Sequence, residues 1–430
     1  MIVPLIELAG RRSTLADAAE KIDETTTLRF AAGKPLSSRV SRSHGVNLRV
    51  VAEGRMGFAG ATDEDVDGLL ERALASARQG EAASVTLPRP AAAVPRVLTH
   101  APRAATATVA ELAVLAAMLR DRLAGERAEL GITVERSIGT IRVANTRGVD
   151  AGYDLTLVTL AVEAARVRDG RRVVIGGRIS GVDLPSLGEI ESLVARLRQR
   201  LAWAERDAKA VTGRQQVAFL PTAVPVLLHP LEEALLGKSV LQGASPLARR
   251  KGTRVYSELF SLRDNPLLDG RPGSRPVDDE GVVSREVVLV QEGQVEGFLY
   301  DLETATRVGV PPTGHGRRSI FAKPQPACTN LVVAPGTASF DDLLRTVGDG
   351  ILLEEIRGGQ SGHAAGGTFA QTAALAWKVE GGEVAGLAQE VTVAGNAHDL
   401  LGRVTAAGAD PLWIGPRSLP ALVVEGVSVF

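Results

Sequence analysis

Cysteine is nearly absent from this chain of 430 residues, which carries one, Cys328. A single thiol excludes an intrachain disulfide framework and a cysteine-rich zinc site, and it fits a reducing compartment, so a cytoplasmic location is expected. Aromatic residues amount to only 3%, too few to build the stacking platforms that hold single-stranded nucleic acid. Basic and acidic side chains number 49 and 50, a formal net charge of −1. That balance argues against a general polyanion-binding surface, and nucleic acid is not an expected partner, although a local basic patch is compatible with it. No uninterrupted apolar run reaches the roughly 18 residues needed to cross a bilayer, so no membrane partner is expected. The amino terminus also lacks the basic start, long apolar stretch and cleavage site of a secretory signal.

What is present is an aliphatic composition, 45% apolar and rich in Gly, over a length that suggests two domains of about 200 residues each. The first 60 residues read as short β runs separated by turns. A helix then comes with Thr62 as its cap, and another is expected in TVAELAVLAAMLRDRLAGE. The stretch GITVERSIGTIRVANTRGVDAGYDLTLVTLAVEAARVRDGRRVVIGGRISG alternates apolar and polar residues between turn signals, the pattern of an antiparallel meander. The next segment places Ile190, Leu193, Val194, Leu197 and Leu201 on one helical stripe. After about residue 212, helix-period patterns give way to strand-period ones, with hairpins expected around QEGQ and VEGGE. The fold class predicted is therefore α+β: a mixed domain over 1–210, then a β-rich domain over 211–430, sandwich-like or barrel-like. The closing GVSVF supplies a candidate sheet edge for assembly.

Several stretches invite a chemical reading. In LLHPLEEALLGKS (227–239), His229 shares a helical face with Glu232 and Glu233, an arrangement that can ligate a metal or be the remnant of such a site. Its plain reading is an imidazole at a helix start, hydrogen-bonded to backbone, with Pro230 in the first turn. RPVDDEG (275–281) concentrates Asp278, Asp279 and Glu280, either as a solvated turn or as a cavity lining that orients a peptide amine. TGHGRR (313–318) offers His315, Arg317 and Arg318 as a clamp for an anionic peptide terminus, or as a flexible basic loop. GGQSGHAAGG (358–367) carries His363 in a glycine-rich loop without the lysine of a phosphate loop.

Taken in order, RPVDDEGVVSREVVLVQEGQVEGFLYD, TGHGRR, PACTNLVVAPGTASFDDLLRTVGDGILL, AGNAHDLLGRVTAAGAD and LPALVVEGVSV resemble the carboxy-terminal half of the TldD/PmbA family, PmbA also being called TldE. GVNLRVVAEGRMGFAGAT and VANTRGVDAGYD are similar to the family's first domain. The resemblance implies a cytoplasmic zinc metallopeptidase of two related chains, acting on small or unfolded peptides, in which one chain is catalytic and the other lacks the metal site. In the catalytic chain an H-E-x-x-x-H helix and a late cysteine hold zinc. Here His229 is kept, Pro230 stands for the glutamate, Ala234 for the second histidine, and GADPLWIGPRSLPALVV contains no cysteine. The resemblance thus implies a non-catalytic, PmbA/TldE-like subunit with no metal or other cofactor of its own, zinc being expected in a TldD-like partner. The chain would pair with that partner or with itself. A divergent hydrolase using His229 with Glu232 or Glu233, or a peptide-binding scaffold, are the alternatives.

Overall fold

The computed structural model describes residues 2–32, 34–62, 65–168, 170–357 and 364–430. Its amino-terminal part is built on one antiparallel sheet of six strands, β1 (Leu15–Ala31), β2 (Lys34–Ala52), β3 (Arg55–Ala61), β4 (Glu129–Asn145), β5 (Asp150–Arg168) and β6 (Arg171–Gly181), ordered β3-β2-β1-β4-β5-β6. The β-runs of the first 60 residues are thus far longer than the sequence suggested. Turns that looked like strand ends are bridged by continuous pairing, as in β1 against β2 from Leu15–Val51 to Ala31–Lys34.

Helices α1 (Ile2–Gly10) and α2 (Val66–Arg78) cover one end of this sheet. The cap of α2 is Asp65, whose carboxylate accepts from the Gly68 amide, and not Thr62. Helix α3 (Pro102–Thr106) is a single turn, whereas α4 (Val109–Leu123) opens with a capping box between Thr108 and Glu111. In α5 (Leu187–Trp203), the stripe Ile190, Leu193, Val194, Leu197 and Leu201 is buried throughout, as its 3.6-residue period demands. Gly177 on β6 allows this close approach, since a Cβ there would lie 2.4 Å from Leu193.

The carboxy-terminal part contains a closed ring. Strand Gly213–Phe219 pairs with Ile351–Ile356 and with Leu422–Val429; Thr368–Glu380 pairs with Ile351–Ile356 and Thr392–Asn396; and Thr392–Asn396 returns to Leu422–Val429. The result is a five-stranded barrel within an α+β protein. GVSVF is no free edge, because its strand is paired on both sides.

Period-2 alternation sorts the barrel's side chains into two cores. Val217, Phe219, Ile351, Leu353, Leu422 and Val424 belong to one core, shared with helix α6 (Pro225–Ala234). Ala218, Leu352, Trp377 and Val423 belong to another, shared with α4, α5 and the first sheet through Val134 and Leu160. Helix α4 packs on the first sheet and on α5, and α5 in turn reaches the barrel through Trp203 on Trp377 and Arg200 on Glu354. A second sheet of six short strands runs beside the barrel, and within it Leu262–Asp264, Leu331–Val333 and Arg417–Leu419 are neighbours.

Trp377 is fully buried, its indole N–H donates to Glu354 Oε2 at 2.6 Å, and its ring meets that of Trp203 edge-on at 5.4 Å. Trp377→Ala removes both contacts and should cost about 3–5 kcal/mol, read as a lower urea midpoint. A loss well under 1 kcal/mol would show that this wall of the core is not where sheet and barrel are held together.

Candidate functional site

Helix α6 begins with Pro225 at its first position, so Pro230 is its sixth residue and lies in the helix interior. There it removes one backbone hydrogen bond and contributes no acid or base. This corrects the expectation of a proline in the first turn. His229 is half-buried, and among the described residues its imidazole makes no hydrogen bond, where a backbone partner was expected. Glu233, one turn on, is likewise half-buried.

Glu232 is held differently. It is buried, and both its oxygens accept from Arg417, from Nε and from Nη2, each at 2.6 Å. Planar guanidinium and carboxylate meet here in a two-pronged fork, the strongest geometry available to such a pair. Arg417 lies on the strand 417–419, in the stretch that contains no cysteine, and a search for ligands passes over a cation. Cys328 is close enough to this group for its charges to act on it. Burial pushes its thiol well above the ordinary value, Glu232 and Asp264 push it further, and Arg417 opposes them. A thiol kept protonated is a poor metal ligand.

These residues do not fit a catalytic zinc, which ordinarily takes three protein ligands. One imidazole and one carboxylate remain on α6, Glu232 is committed to Arg417, and among the described residues no three His, Cys, Asp or Glu side chains are placed to hold a metal ion. His363 lies outside the described residues.

Asp278, Asp279 and Glu280 are neither a solvated turn nor a cavity lining, being only 1–2% exposed. Asp278 ties its own loop, accepting from the amides of Glu280 and Val282 at 2.9 Å and of Gly316 at 2.8 Å. The other two reach the first sheet. Glu280 pairs with Arg49 Nη1 at 2.8 Å, Arg49 forks onto Asp17 at 2.7 and 2.9 Å, and Asp17 also pairs with Arg318. Asp279 accepts from the Arg318 amide and from Lys21 Nζ, at 2.8 and 2.7 Å.

TGHGRR is correspondingly not a flexible clamp. His315 is fully buried, with Nε2 3.0 Å from Asp264 Oδ1 and Nδ1 3.0 Å from the Thr313 carbonyl. Arg318 is buried while Arg317, on the other face, is exposed. The loop is strapped beneath β2 and β3: Asn47 donates to the Ile320 and Ala322 carbonyls, and a Cβ at Gly60 would fall 2.0 Å from the Ile320 oxygen. Asp17, Lys21 and Arg49 were missed in the sequence because their partners in this loop and in RPVDDEG lie more than 200 residues away. Their one local signal is a run of charges on strands whose neighbours are apolar.

Asp17→Asn should destabilise the chain by about 3–5 kcal/mol, because it leaves Arg49 and Arg318 buried without their shared anion; a urea midpoint unchanged from the parent would contradict that role. Burial pushes the Glu280 carboxyl up to about 8, with Arg49 opposing and Asp301 and Asp278 adding to the rise. A carboxyl with a raised folded pKa binds its proton more tightly in the folded state. Its contribution is complete below the ordinary value of 4.5 and is lost as pH rises through about 8. Asp278 and Asp301 are shifted in the same direction by burial. Unfolding free energy should therefore fall between pH 5 and pH 8, and Glu280→Gln should make that fall shallower. An identical slope in the variant would rule Glu280 out as its source.

Comparison with known proteins adds an independent line. A family model described as the PmbA/TldA metallopeptidase C-terminal domain matches residues 212–430, and one described as PmbA/TldA metallopeptidase domain 1 matches residues 16–77. A metalloprotease of Methanothermobacter thermautotrophicus is 31% identical over 260 residues, 59% of this chain and 57% of that protein. A metalloprotease TldD homolog of Haemophilus influenzae is 30% identical over 222 residues, 51% of this chain and 46% of that one. The chain thus matches about half the length of these curated relatives. The crystal structure of TldE from Thermococcus kodakarensis superposes with a TM-score of 0.89 at 23% identity, covering 100% of this chain and 99% of that one, which is a likeness of fold. With more than half its length matched by the family's carboxy-terminal model, this chain belongs to the PmbA/TldD metallopeptidase family.

Proposed function

We propose that this chain is the non-catalytic, TldE-like member of a zinc-peptidase assembly, pairing with a TldD-like chain that carries the metal and acts on small or unfolded peptides. The fork between Glu232 and Arg417 is the observation that carries this reading. It occupies the one buried carboxylate of α6 and sets a permanent positive charge beside it, which opposes a dication at the same place. Pro230 adds nothing that could take a proton from water. The part left to this chain is structural: its sheet, barrel and strapped loop present a rigid surface to the partner.

The purified chain alone should cleave no unstructured fluorogenic peptide and should retain substoichiometric zinc after dialysis, whereas mixing it with a TldD-like chain should produce a heterodimer in sedimentation and chelator-sensitive cleavage. His229→Ala should change unfolding free energy by less than about 1 kcal/mol, as expected for a half-buried side chain that makes no hydrogen bond among the described residues. Chelator-sensitive cleavage by the chain alone, abolished by His229→Ala with the fold intact, would establish a divergent hydrolase instead. A homodimer that ignores the TldD-like chain would overturn the assembly.

A further inference from the structure

A cleft of about 520 Å³ opens between β6 and α5 on one side and the strands 351–356 and 412–414 on the other. It is separate from α6 and from the Asp17 network, and its size is that of small-molecule and peptide-end pockets. Four guanidinium groups line it, Arg178, Arg196, Arg200 and Arg271, against the carboxylates of Glu189 and Glu354. Both carboxylates are already engaged. Glu189 closes the capping box of α5 with Ser186, while Glu354 takes the Trp377 indole N–H and pairs with Arg200.

Three cations are left over. Arg178, Arg196 and Arg271 form no ion pair among the described residues, although Arg178 acts at longer range on Glu355. Arg196 is half-buried one helical turn before Arg200, so it is partly stripped of water beside another cation. Burial and then Arg200 pull its pKa down, with Glu354 opposing. A partly desolvated charge without a partner is unfavourable, and an incoming anion relieves it. Arg271 is held by a different contact, its Cζ 4.6 Å over the centre of the Trp413 ring, and among the described residues its guanidinium N–H groups donate to no side chain or carbonyl. The rest of the lining is mixed: Ser180, Ser186, Ser192 and Thr222 contribute hydroxyls, and a partly exposed apolar strip is formed by Ile179, Leu412, Trp413 and Ile414.

We infer that this cleft binds the free carboxylate end of a short apolar peptide, the carboxylate received by Arg196 and Arg271 and the apolar side chain laid against Trp413 and its neighbours. Guanidinium forks accept carboxylate and phosphate alike. The apolar strip beside Arg271, formed by Leu412, Trp413 and Ile414, favours an oxyanion carried on an apolar body over a bare phosphate. The two sides of the cleft come from different parts of the fold, so such a ligand would also brace β6 against the 412–414 strand. The inference rests on the cleft alone; Arg196 and Arg271 belong neither to the Glu232 fork nor to the Asp17 network, so its failure would leave the reading of α6 standing.

Calorimetry on the full chain at low salt, with the tripeptide Ala-Leu-Phe as free acid, its carboxamide and inorganic phosphate as probes, decides the matter. The acid should bind roughly ten-fold or more tightly than the carboxamide, the difference expected for a charge-assisted fork, and more tightly than phosphate. Arg196→Gln should weaken the acid by a similar factor without lowering Tm, because it removes a charge that forms no ion pair among the described residues. Arg271→Gln, on the opposite wall, should weaken it too, and decides the point if the first variant does not fold. Equal binding of acid and carboxamide, phosphate binding as tightly as the acid, no binding of any probe, or full affinity in a folded Arg271→Gln variant would each overturn the inference.

Discussion

Three carboxylates and three cations, Glu280, Asp17 and Asp279 with Arg49, Arg318 and Lys21, join the first sheet to the carboxy-terminal half, and much of the remaining geometry depends on them. With Glu280 ionised the charges balance; each ion alone would cost several kcal/mol to dehydrate, and burial of that kind is what pushes the Glu280 carboxyl up to about 8. Because Asp17 is shared by two arginines and Arg49 by two carboxylates, no member can move without stranding another. β1 and β2 thereby fix the loop 313–322, and that loop, through His315 and Asp264, fixes the short strand 262–264. The same strand is bonded to Leu331–Val333, which in turn neighbours the strand carrying Arg417. A continuous path of directed polar contacts thus runs from the amino-terminal hairpin to the fork on α6.

The second organising feature is apolar. One set of the barrel's alternating side chains packs with α6, and the other set packs with α4 and α5. Each of α4 and α5 buries one stripe in the core that sheet and barrel share, which accounts for the Leu and Ala on that stripe better than propensity alone. Where α5 leaves this core, its polar stripe turns toward the cleft with Arg196 and Arg200, so one helix serves burial and charge on adjacent faces.

Local patterns were legible in the sequence and distant pairings were not. The stripe Ile190 to Leu201 and the helix over TVAELAVLAAMLRDRL depend on residues within a few turns, and the structure has both. Hairpins around Glu292-Gly293 and Gly381-Gly382 likewise come from residues that here take positive φ. Barrel closure could not be read, since it rests on pairing between strands near residues 217 and 424. The acidic RPVDDEG read as a solvated turn or a cavity lining for the same reason: acids are buried only when paired, and the pairing residues Arg49 and Lys21 stand in the first 50 positions. At α6 the losses at Pro230 and Ala234 were visible, but the cation that answers Glu232 lies 185 positions downstream.

Closure of the ring by its last strand bears on how the chain acquires its shape. The strand Leu422–Val429 sits between Thr392–Asn396 and Gly213–Phe219, one near in sequence and one far upstream, so neither barrel core can be completed while that last segment is still being synthesised. Loop-closure entropy over the longer separation makes the step slow relative to hairpin formation. The first sheet, whose strands pair mostly with sequence neighbours, can form on its own schedule. Until the ring closes, the faces of Ala218, Leu352 and Val423 and the stripes of α4 and α5 lack their full cover, and during that interval the nascent chain exposes a broad aliphatic surface to aggregation and to chaperones.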